Sequence, residues 1–488
     1  MADELNRQGP PDRLLQRAAA GLAFITAEVL DERTGGVYGR RVALLVGSGN
    51  NGADALLAGI RLRRRGVLID ALLVSGTAYE PGVRKLRAAG GRVISAVDTE
   101  AAGWAVSSAD LVLDGIVGEN GVGPLKGRAA ELIAEIPAAT TVIAVDLPSG
   151  IDPDSGEITG THVTADITVT FSAAKGCALF PPGAHAIGAL RMVDVGLPPV
   201  EGEVIARRLG DADIAARWPV PQRAAHKYTR GVLGVVAGSD AYPGAAVLAV
   251  LGAVQSGVAG ITRFVGPAGV TAHVLAAVPE AVPGIGQVQA WLLGSGVEND
   301  GEQDRAIDTA LSSGLPCVVD AGALEACVRR RLDGDRPASA DRVLLTPHAG
   351  EMARIMRWLG HDVPRAEIEA RPRYYGLEIA KALDVTVLVK GAATLIARPD
   401  GLVASQAEAP AWLATAGAGD VLAGIAGALM AAGLGAFDAG EMAAFIHGRA
   451  AAVAHKAQSG GPITASAVAH GTPRAIGELL SAAGVRDR

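Results

Sequence analysis

The stretch VALLVGSGNNGADALL, residues 42–57, decides how this chain is read. An apolar run enters a loop with Gly47, Gly49 and Gly52, and an Ala/Leu-rich helical segment follows. That G-x-G-x-x-G spacing belongs to strand–turn–helix units that bring an anionic group to a helix N-terminus. A dinucleotide-binding fold also needs an acidic residue about 20 positions on, at the end of the second strand, to grip a ribose. Asp70 has that separation but sits inside the run LIDALLV (68–74), ahead of the strand's end, so the oxidoreductase reading weakens there. Asn50, Asn51 and Asp54 are more specific. Amides tolerate unusual backbone conformations and can ligate a cation or bond another amide. Asp54 by itself reads equally well as a helix cap.

Outward from this stretch, short β-branched runs alternate with Ala/Leu-rich segments, which predicts an α/β fold of parallel sheets flanked by helices. Strands are expected at 42–46, 68–74, 92–94, 111–113, 142–146 and 167–171. Residues 198–223, PPVEGEVIARRLGDADIAARWPVPQR, are rich in proline and charge and read as an interdomain linker with room for one short helix. Domains are expected at 1–208 and 209–488. In the second, strands are expected at 232–237, 261–265, 290–293, 316–319, 343–346, 385–389 and 394–397. The last two flank no helix and are followed by a Pro-Asp-Gly turn, which predicts an antiparallel corner.

The formal charge is −7 over 488 residues, too little positive charge to neutralise a nucleic-acid backbone. The clusters Arg61/Arg63/Arg64/Arg65 and Arg329–Arg331 each close a helical segment, where they complement the helix dipole. Cys177, Cys317 and Cys327 lack paired or metal-site spacing, so core thiols in a reducing compartment are expected. The polar N-terminus lacks a signal-peptide core, and the uncharged run 421–437 reads as a buried helix rather than a membrane span. A soluble cytoplasmic protein is expected.

Two further segments of the first half repeat the opening pattern. LVLDGIVGENGVGPLKG (111–127) places Asp114 after a strand and before a glycine-rich loop; TVIAVDLPSGIDPDSG (141–156) places Asp146 at a strand end before Pro148, Ser149 and Gly150. Three strands thus present polar loops where open parallel sheets bind ligands. These loops, with the helix-like LLQRAAAGLA, resemble the NAD(P)H-hydrate epimerase family, the YjeF N-terminal domain, over roughly residues 12–200. The resemblance implies a Rossmann-like α/β/α domain with potassium on Asn51, Asp114 and Ser149. It implies Asp146 as acid/base, and substrate contacts from Asn50, Asn51, Gly52, Ala53 and Asp54. The second loop would add Gly118, Glu119, Asn120, Gly121, Val122, Gly123 and Pro124. The family's G-G-D-G reads Gly52-Ala53-Asp54-Ala55 here, and its G-T-G reads Gly118-Glu119-Asn120.

In the second half, WLATAGAGDVLAGIAGAL (412–429) is a glycine-rich turn that ends in Gly419-Asp420 and opens an apolar helix. Free N–H groups of a first helical turn make an anion site, and Asp420 there can accept a proton from a hydroxyl. A plain cap would not require Gly417 and Gly419 as well. Lys390-Gly391-Ala392-Ala393-Thr394 follows a strand and reads evenly as a phosphate-binding turn or a hairpin. VLLTPHAGEMARI places His348 just after another strand end. Together these resemble the ribokinase-like fold, and within it the ADP/ATP-dependent NAD(P)H-hydrate dehydratases, over roughly residues 222–485. The resemblance implies nucleotide binding by Lys390–Thr394 and Gly419, with magnesium bridging the phosphates. It implies contact with the hydrated nicotinamide nucleotide through Ala246 (or Ala245), Gly296, His348 and Asp420. The family's glycine-proline-glycine turn reads Gly294-Ser295-Gly296.

The joint resemblance implies consecutive repair of hydrated NAD(P)H. One domain interconverts the R and S epimers; the other phosphorylates the S form with ADP and eliminates phosphate, leaving AMP and NAD(P)H. It also implies a homo-oligomer. The rival is a ribokinase-like kinase of a small alcohol, with a non-catalytic nucleotide-binding N-terminal domain.

Overall fold

The computed structural model describes residues 13–198, 204–298 and 301–485, which form two compact units dividing between residues 203 and 204. The first runs α1 (Arg13–Thr34), β1 (Arg41–Val46), α2 (Asn50–Arg63), β2 (Leu68–Leu73), α3 (Glu80–Ala88), β3 (Arg92–Ser95), α4 (Thr99–Ser107), β4 (Leu111–Gly115), α5 (Gly127–Ala134), β5 (Thr141–Val145), β6 (Ile167–Phe171) and β7 (Ala189–Val193). The sheet is wholly parallel in the order β3-β2-β1-β4-β5-β6-β7. The order reverses between β1 and β4, which places a ligand crevice over their C-terminal ends. β1, β4 and β5 are apolar on both faces because helices cover both. Asp70 lies mid-strand and bonds Arg41 at 2.6 Å, with Arg92 at 3.4 Å. It is a structural ion pair, as its position inside the run predicts.

The second unit runs β8 (Ala206–Arg207), α6 (Asp211–Arg217), β9 (Val232–Val236), α7 (Pro243–Gln255), β10 (Ile261–Val265), α8 (Ala268–Ala277), β11 (Val282–Pro283), β12 (Ala290–Leu293), α9 (Gly301–Ser312), β13 (Cys317–Val319), α10 (Leu324–Leu332), β14 (Val343–Leu345), α11 (Ala349–Trp358), α12 (Arg365–Ala370), α13 (Pro372–Leu383), β15 (Thr386–Val389), β16 (Thr394–Ala397), β17 (Val403–Gln406), α14 (Ala418–Ala431), α15 (Ala436–Ala457) and α16 (Ala465–Ala482). Its sheet order is β11-β10-β9-β12-β13-β14-β15-β16-β17-β8, with the switch between β9 and β12 and the expected antiparallel corner at β15-β16-β17. The expected boundary after residue 208 falls late, because Ala206 and Arg207 already pair with Val403 and Ala404 of this sheet. Arg207 is further tied to the buried Glu441 at 2.6 Å.

The uncharged run 421–437 is not one helix: it spans most of α14 and the start of α15, broken by Gly433 at φ 99°. Its small residues let α14 lie against α7. A Cβ on Gly424 would overlap the Ala249 carbonyl, and one on Gly252 would lie 2.5 Å from the Val421 carbonyl. The arginine clusters do end α2 and α10, but Arg331 is buried rather than solvated and donates to the Ala338 carbonyl at 2.6 Å. All three cysteines are free and buried. Among the described residues no helix is long and apolar enough to cross a membrane.

Candidate active sites

In the first unit, the loop after β1 passes so close to β4 that a Cβ on Gly47 would overlap the Ile116 carbonyl, which explains glycine there. Gly49 is the N-cap of α2, and Asn50, Asn51, Gly52 and Ala53 form its exposed-to-buried first turn. Asp54 lies one turn further in, so it is not the cap. It is 5% exposed, and its Oδ1 has no hydrogen-bond partner among the described residues. Burial first, then the charge of Asp146, pushes its carboxyl up to about 8.

Asn51 donates to the Val145 carbonyl at 2.5 Å, while Gly118 packs against its amide, where a Cβ would come within 2.6 Å of Oδ1. Asp114 is fully buried and accepts from the Ser149 hydroxyl at 2.6 Å, the Ser149 amide at 2.8 Å and the Ile116 amide at 3.2 Å. No described cationic side chain pairs with it, and burial raises its carboxyl above the usual range despite those bonds. Of the expected cation set, Asp114 and Ser149 are bonded to each other, and the Asn51 amide lies against Gly118 of the adjoining loop. Glu119, Asn120 and Val122 are exposed at the crest of the next loop, with Gly121, Gly123 and Pro124 partly buried beside them.

Asp146 follows β5 at φ 71°, a left-handed conformation that a non-glycine residue holds only when its surroundings enforce it. Lys175 Nζ at 2.6 Å and Thr170 Oγ1 at 3.0 Å supply that enforcement. Neither was singled out in the sequence. The available signal was a lysine just after the strand ITVTF, the pattern that singled out Lys390.

In the second unit, α14 begins from Gly417, whose φ of 85° suits glycine. Gly419 is different. An added Cβ would meet nothing nearer than Lys390 Nζ at 3.5 Å, so protein packing does not demand a glycine there. An approaching ligand would. Asp420 stands in the first turn, and burial first, with the charge of Asp320 second, pushes its carboxyl up to about 7. Lys390 reaches it from the β15–β16 hairpin, with Gly391 and Ala392 exposed, Thr394 partly so and Ala393 buried. Its ammonium bonds Asp320 at 2.9 Å and lies 3.6 Å from Glu351. Burial alone would lower the Lys390 ammonium; Asp320, Glu351 and Asp420 together hold it above its ordinary value.

His348 is both cap and site residue. Its Nδ1 accepts from the Gly350 and Glu351 amides at 3.0 and 3.2 Å, while Glu351 returns a bond to the His348 amide at 2.8 Å. The Lys390 amide donates to the Pro347 carbonyl at 3.0 Å, which joins the two motifs. The Ala246 side chain is fully buried, with Gly238 packed against it, so of the two alanines it is Ala245 whose methyl faces Gly296. Ser295, Asp320 and Glu351 are site members without an assigned role in the sequence reading. The run PCVVD repeats the strand-end aspartate of TVIAVD and carried the missing signal.

Residues 11–177 match the family model described as YjeF-related protein N-terminus, and residues 233–470 match the one described as NAD(P)H-hydrate dehydratase. The bifunctional NAD(P)H-hydrate repair enzyme Nnr of Mycobacterium tuberculosis is 42% identical over 431 residues, covering 86% of this chain and 85% of that protein. The protein of the same name from Mycobacterium leprae is 41% identical over 429 residues, with coverage of 86% and 85%. A crystal structure of ADP/ATP-dependent NAD(P)H-hydrate dehydratase from Bacillus subtilis, co-crystallized with ATP/Mg2+, is 27% identical. It covers 55% of this chain and 97% of that chain, with a TM-score of 0.48.

Proposed function

The chain belongs to the family of bifunctional NAD(P)H-hydrate repair enzymes, and from that premise we propose which of its residues carry each reaction. It is both an isomerase and a lyase, epimerising hydrated NAD(P)H and dehydrating it. We assign epimerisation to the unit ending near residue 203 and dehydration to the unit beginning near residue 204.

In the first unit Asp146 is the acid/base. Lys175 and Thr170 fix its carboxylate over the crevice between β1 and β4, next to the amide-rich start of α2. The N–H groups of that helix start and the loop 118–124 receive the substrate's phosphates. Asn51, Asp114 and Ser149 fit potassium: an amide, a carboxylate and a hydroxyl are hard oxygen donors, and Asp114 is a buried carboxylate without a cationic partner among the described residues. When bound, the ion supplies the missing counter-charge.

In the second unit ADP lies against Lys390–Thr394 and Gly419, and magnesium enters with its phosphates. No cluster of His, Cys, Asp or Glu suited to a metal occurs among the described residues. Asp420 accepts the proton of the substrate hydroxyl as that oxygen bonds the β-phosphorus and AMP departs. The N-terminus of α14 and Lys390 stabilise the charge on the transferred group. The phosphate then leaves the ring carbon, a proton leaves the neighbouring carbon, and NAD(P)H is restored. His348, Ala245 and Gly296 border the same edge and receive the nicotinamide nucleotide.

The observation that carries this reading is the convergence of Asp420, Lys390 and an unencumbered Gly419 at one helix start. Hydrated NADH supplied with ADP regains NADH absorbance if it is right. Accumulation of a stable phosphate ester without that regain would point to a small-molecule kinase instead. A cytoplasmic homo-oligomer belongs to the same proposal; the three buried free thiols support a reducing compartment.

A further inference from the structure

Asp320 follows β13, is 2% exposed, and ties three loops together through one carboxylate. Ser295 Oγ, from the loop after β12, donates to Oδ2 at 3.1 Å. Thr346 Oγ1, after β14, and Lys390 Nζ, after β15, donate to Oδ1 at 2.8 and 2.9 Å. Two of these donors also reach Asp420. The Ser295 hydroxyl lies within hydrogen-bond reach of Asp420 as well, so its single proton serves one carboxylate at a time, and Lys390 faces Asp420 as a positive charge. Asp320 is thus linked to Asp420 by two routes while lying beneath the surface that a substrate could touch.

A neutral acceptor would suffice to fasten loops, so the charges decide what this residue does. Asp420 is faced by Asp320, by Glu351 from α11 and by one ammonium, Lys390. His447, packed under the start of α14 from α15, is neutral near pH 7, since burial pushes it down to about 4. Glu351 also meets Arg354 at 3.8 Å, which leaves Asp320 and Asp420 to share Lys390. With both ionised the cluster carries an excess of negative charge away from bulk water, which drives one carboxyl to keep its proton. Asp320 makes the direct ammonium contact at 2.9 Å, so the proton falls to Asp420.

We infer that Asp320 is a positioning residue for dehydration, its buried carboxylate holding Lys390 and Ser295 against Asp420 so that base and phosphate-binding ammonium are preset in one geometry. The inference rests on Asp420 being the base. Its consequence is that two substitutions at residues flanking Asp420 move the pH dependence in opposite directions. Asp320→Asn keeps the shape but removes a negative charge and frees the Lys390 ammonium to favour ionised Asp420. Ser295→Ala removes a bond that favours the ionised form.

The test is kcat/KM for dehydration of the S-hydrate, measured against pH for the wild-type chain and both variants, with kcat and the KM for ADP separated at pH 8. Expected for Asp320→Asn is an ascending limb about one pH unit lower, with kcat reduced roughly tenfold or more and the KM for ADP changed far less. Expected for Ser295→Ala is a limb displaced to higher pH. Limbs that coincide with the wild-type one in the variants that fold would overturn the inference, leaving Asp320 a fastening of loops. Should Asp320→Asn fail to fold, the Ser295→Ala limb decides alone. A wild-type chain that never regenerates NADH would instead defeat the reading of Asp420, a different and separately visible outcome.

Discussion

The ammonium of Lys175 donates to Asp146 Oδ1 at 2.6 Å, joining the loops that follow β5 and β6. A carboxylate held by an ammonium keeps one orientation, which is what a residue that takes and returns a proton needs. Lys175→Met is therefore expected to slow epimerisation by roughly ten- to a hundred-fold. Asp146→Ala should reduce it to the spontaneous rate. The assay supplies R-hydrate and ADP and follows the NADH regained through the dehydratase unit. Unchanged consumption of the R form in both variants would remove Asp146 from the mechanism.

Asp420→Ala removes the proposed base while leaving Lys390 and the helix start in place. Dehydration should fall by about 10²–10⁴-fold, the usual contribution of a positioned base. ADP affinity, measured calorimetrically, should stay within a few-fold. A variant that loses ADP binding and turnover together would show Asp420 acting as a binding group instead.

Asp420, raised to about 7, also fixes a pH dependence. A base must be ionised, so kcat/KM for dehydration rises with pH and its ascending limb is centred near 7 in the free enzyme. An activity flat from pH 5 to 8 would contradict this. The limb is expected to disappear with the residual activity of Asp420→Ala.

Asp54 gives a stability prediction. Its folded carboxyl sits at about 8 against an ordinary 3.8, so the folded state keeps a proton that the unfolded chain releases. Its contribution is fullest below the unfolded value and falls steadily as pH rises from about 4 to 8. Asp54→Asn cannot titrate, so its stability should vary less across that window. Thermal midpoints at pH 5 and 8 for both proteins provide the check; identical slopes would show that Asp54 is ionised throughout.

Potassium should raise the thermal midpoint of the epimerase unit in proportion to the logarithm of its concentration once sites fill. The dependence should vanish in Asp114→Asn, which keeps the bond from the Ser149 amide but not the charge. A dependence that persists in the variant would place the ion elsewhere.

Much of the architecture was legible because it is local. β1, β4 and β5 are dominated by apolar runs, the Pro-Asp-Gly turn announced the antiparallel corner, and the glycine-rich turn announced α14, which begins two residues earlier than Asp420. Strand β17 was anticipated only through the turn before it, and the other strands that escaped were those whose identity depends on a neighbour. β7 is a largely exposed edge strand, and β8 and β11 are two-residue pairings that only a partner strand defines. The domain boundary slipped for the same reason, since Ala206 and Arg207 look like linker until they pair with β17.

By itself, the sequence pointed to the strand ends as ligand sites and singled out Asn51, Asp114, Asp146, Ser149, Lys390 and Asp420 in or beside them, because each motif is written within a few consecutive residues. Only the tertiary structure decided the partners: Lys175 for Asp146, Asp320 for Lys390, and the burial that sets apart Asp54 and Asp420. The two pairs join positions 29 and 70 residues apart, and parallel strand order alone brings them to one edge of each sheet. Burial and neighbouring like charges then raise the carboxyls, a field effect that no short motif contains.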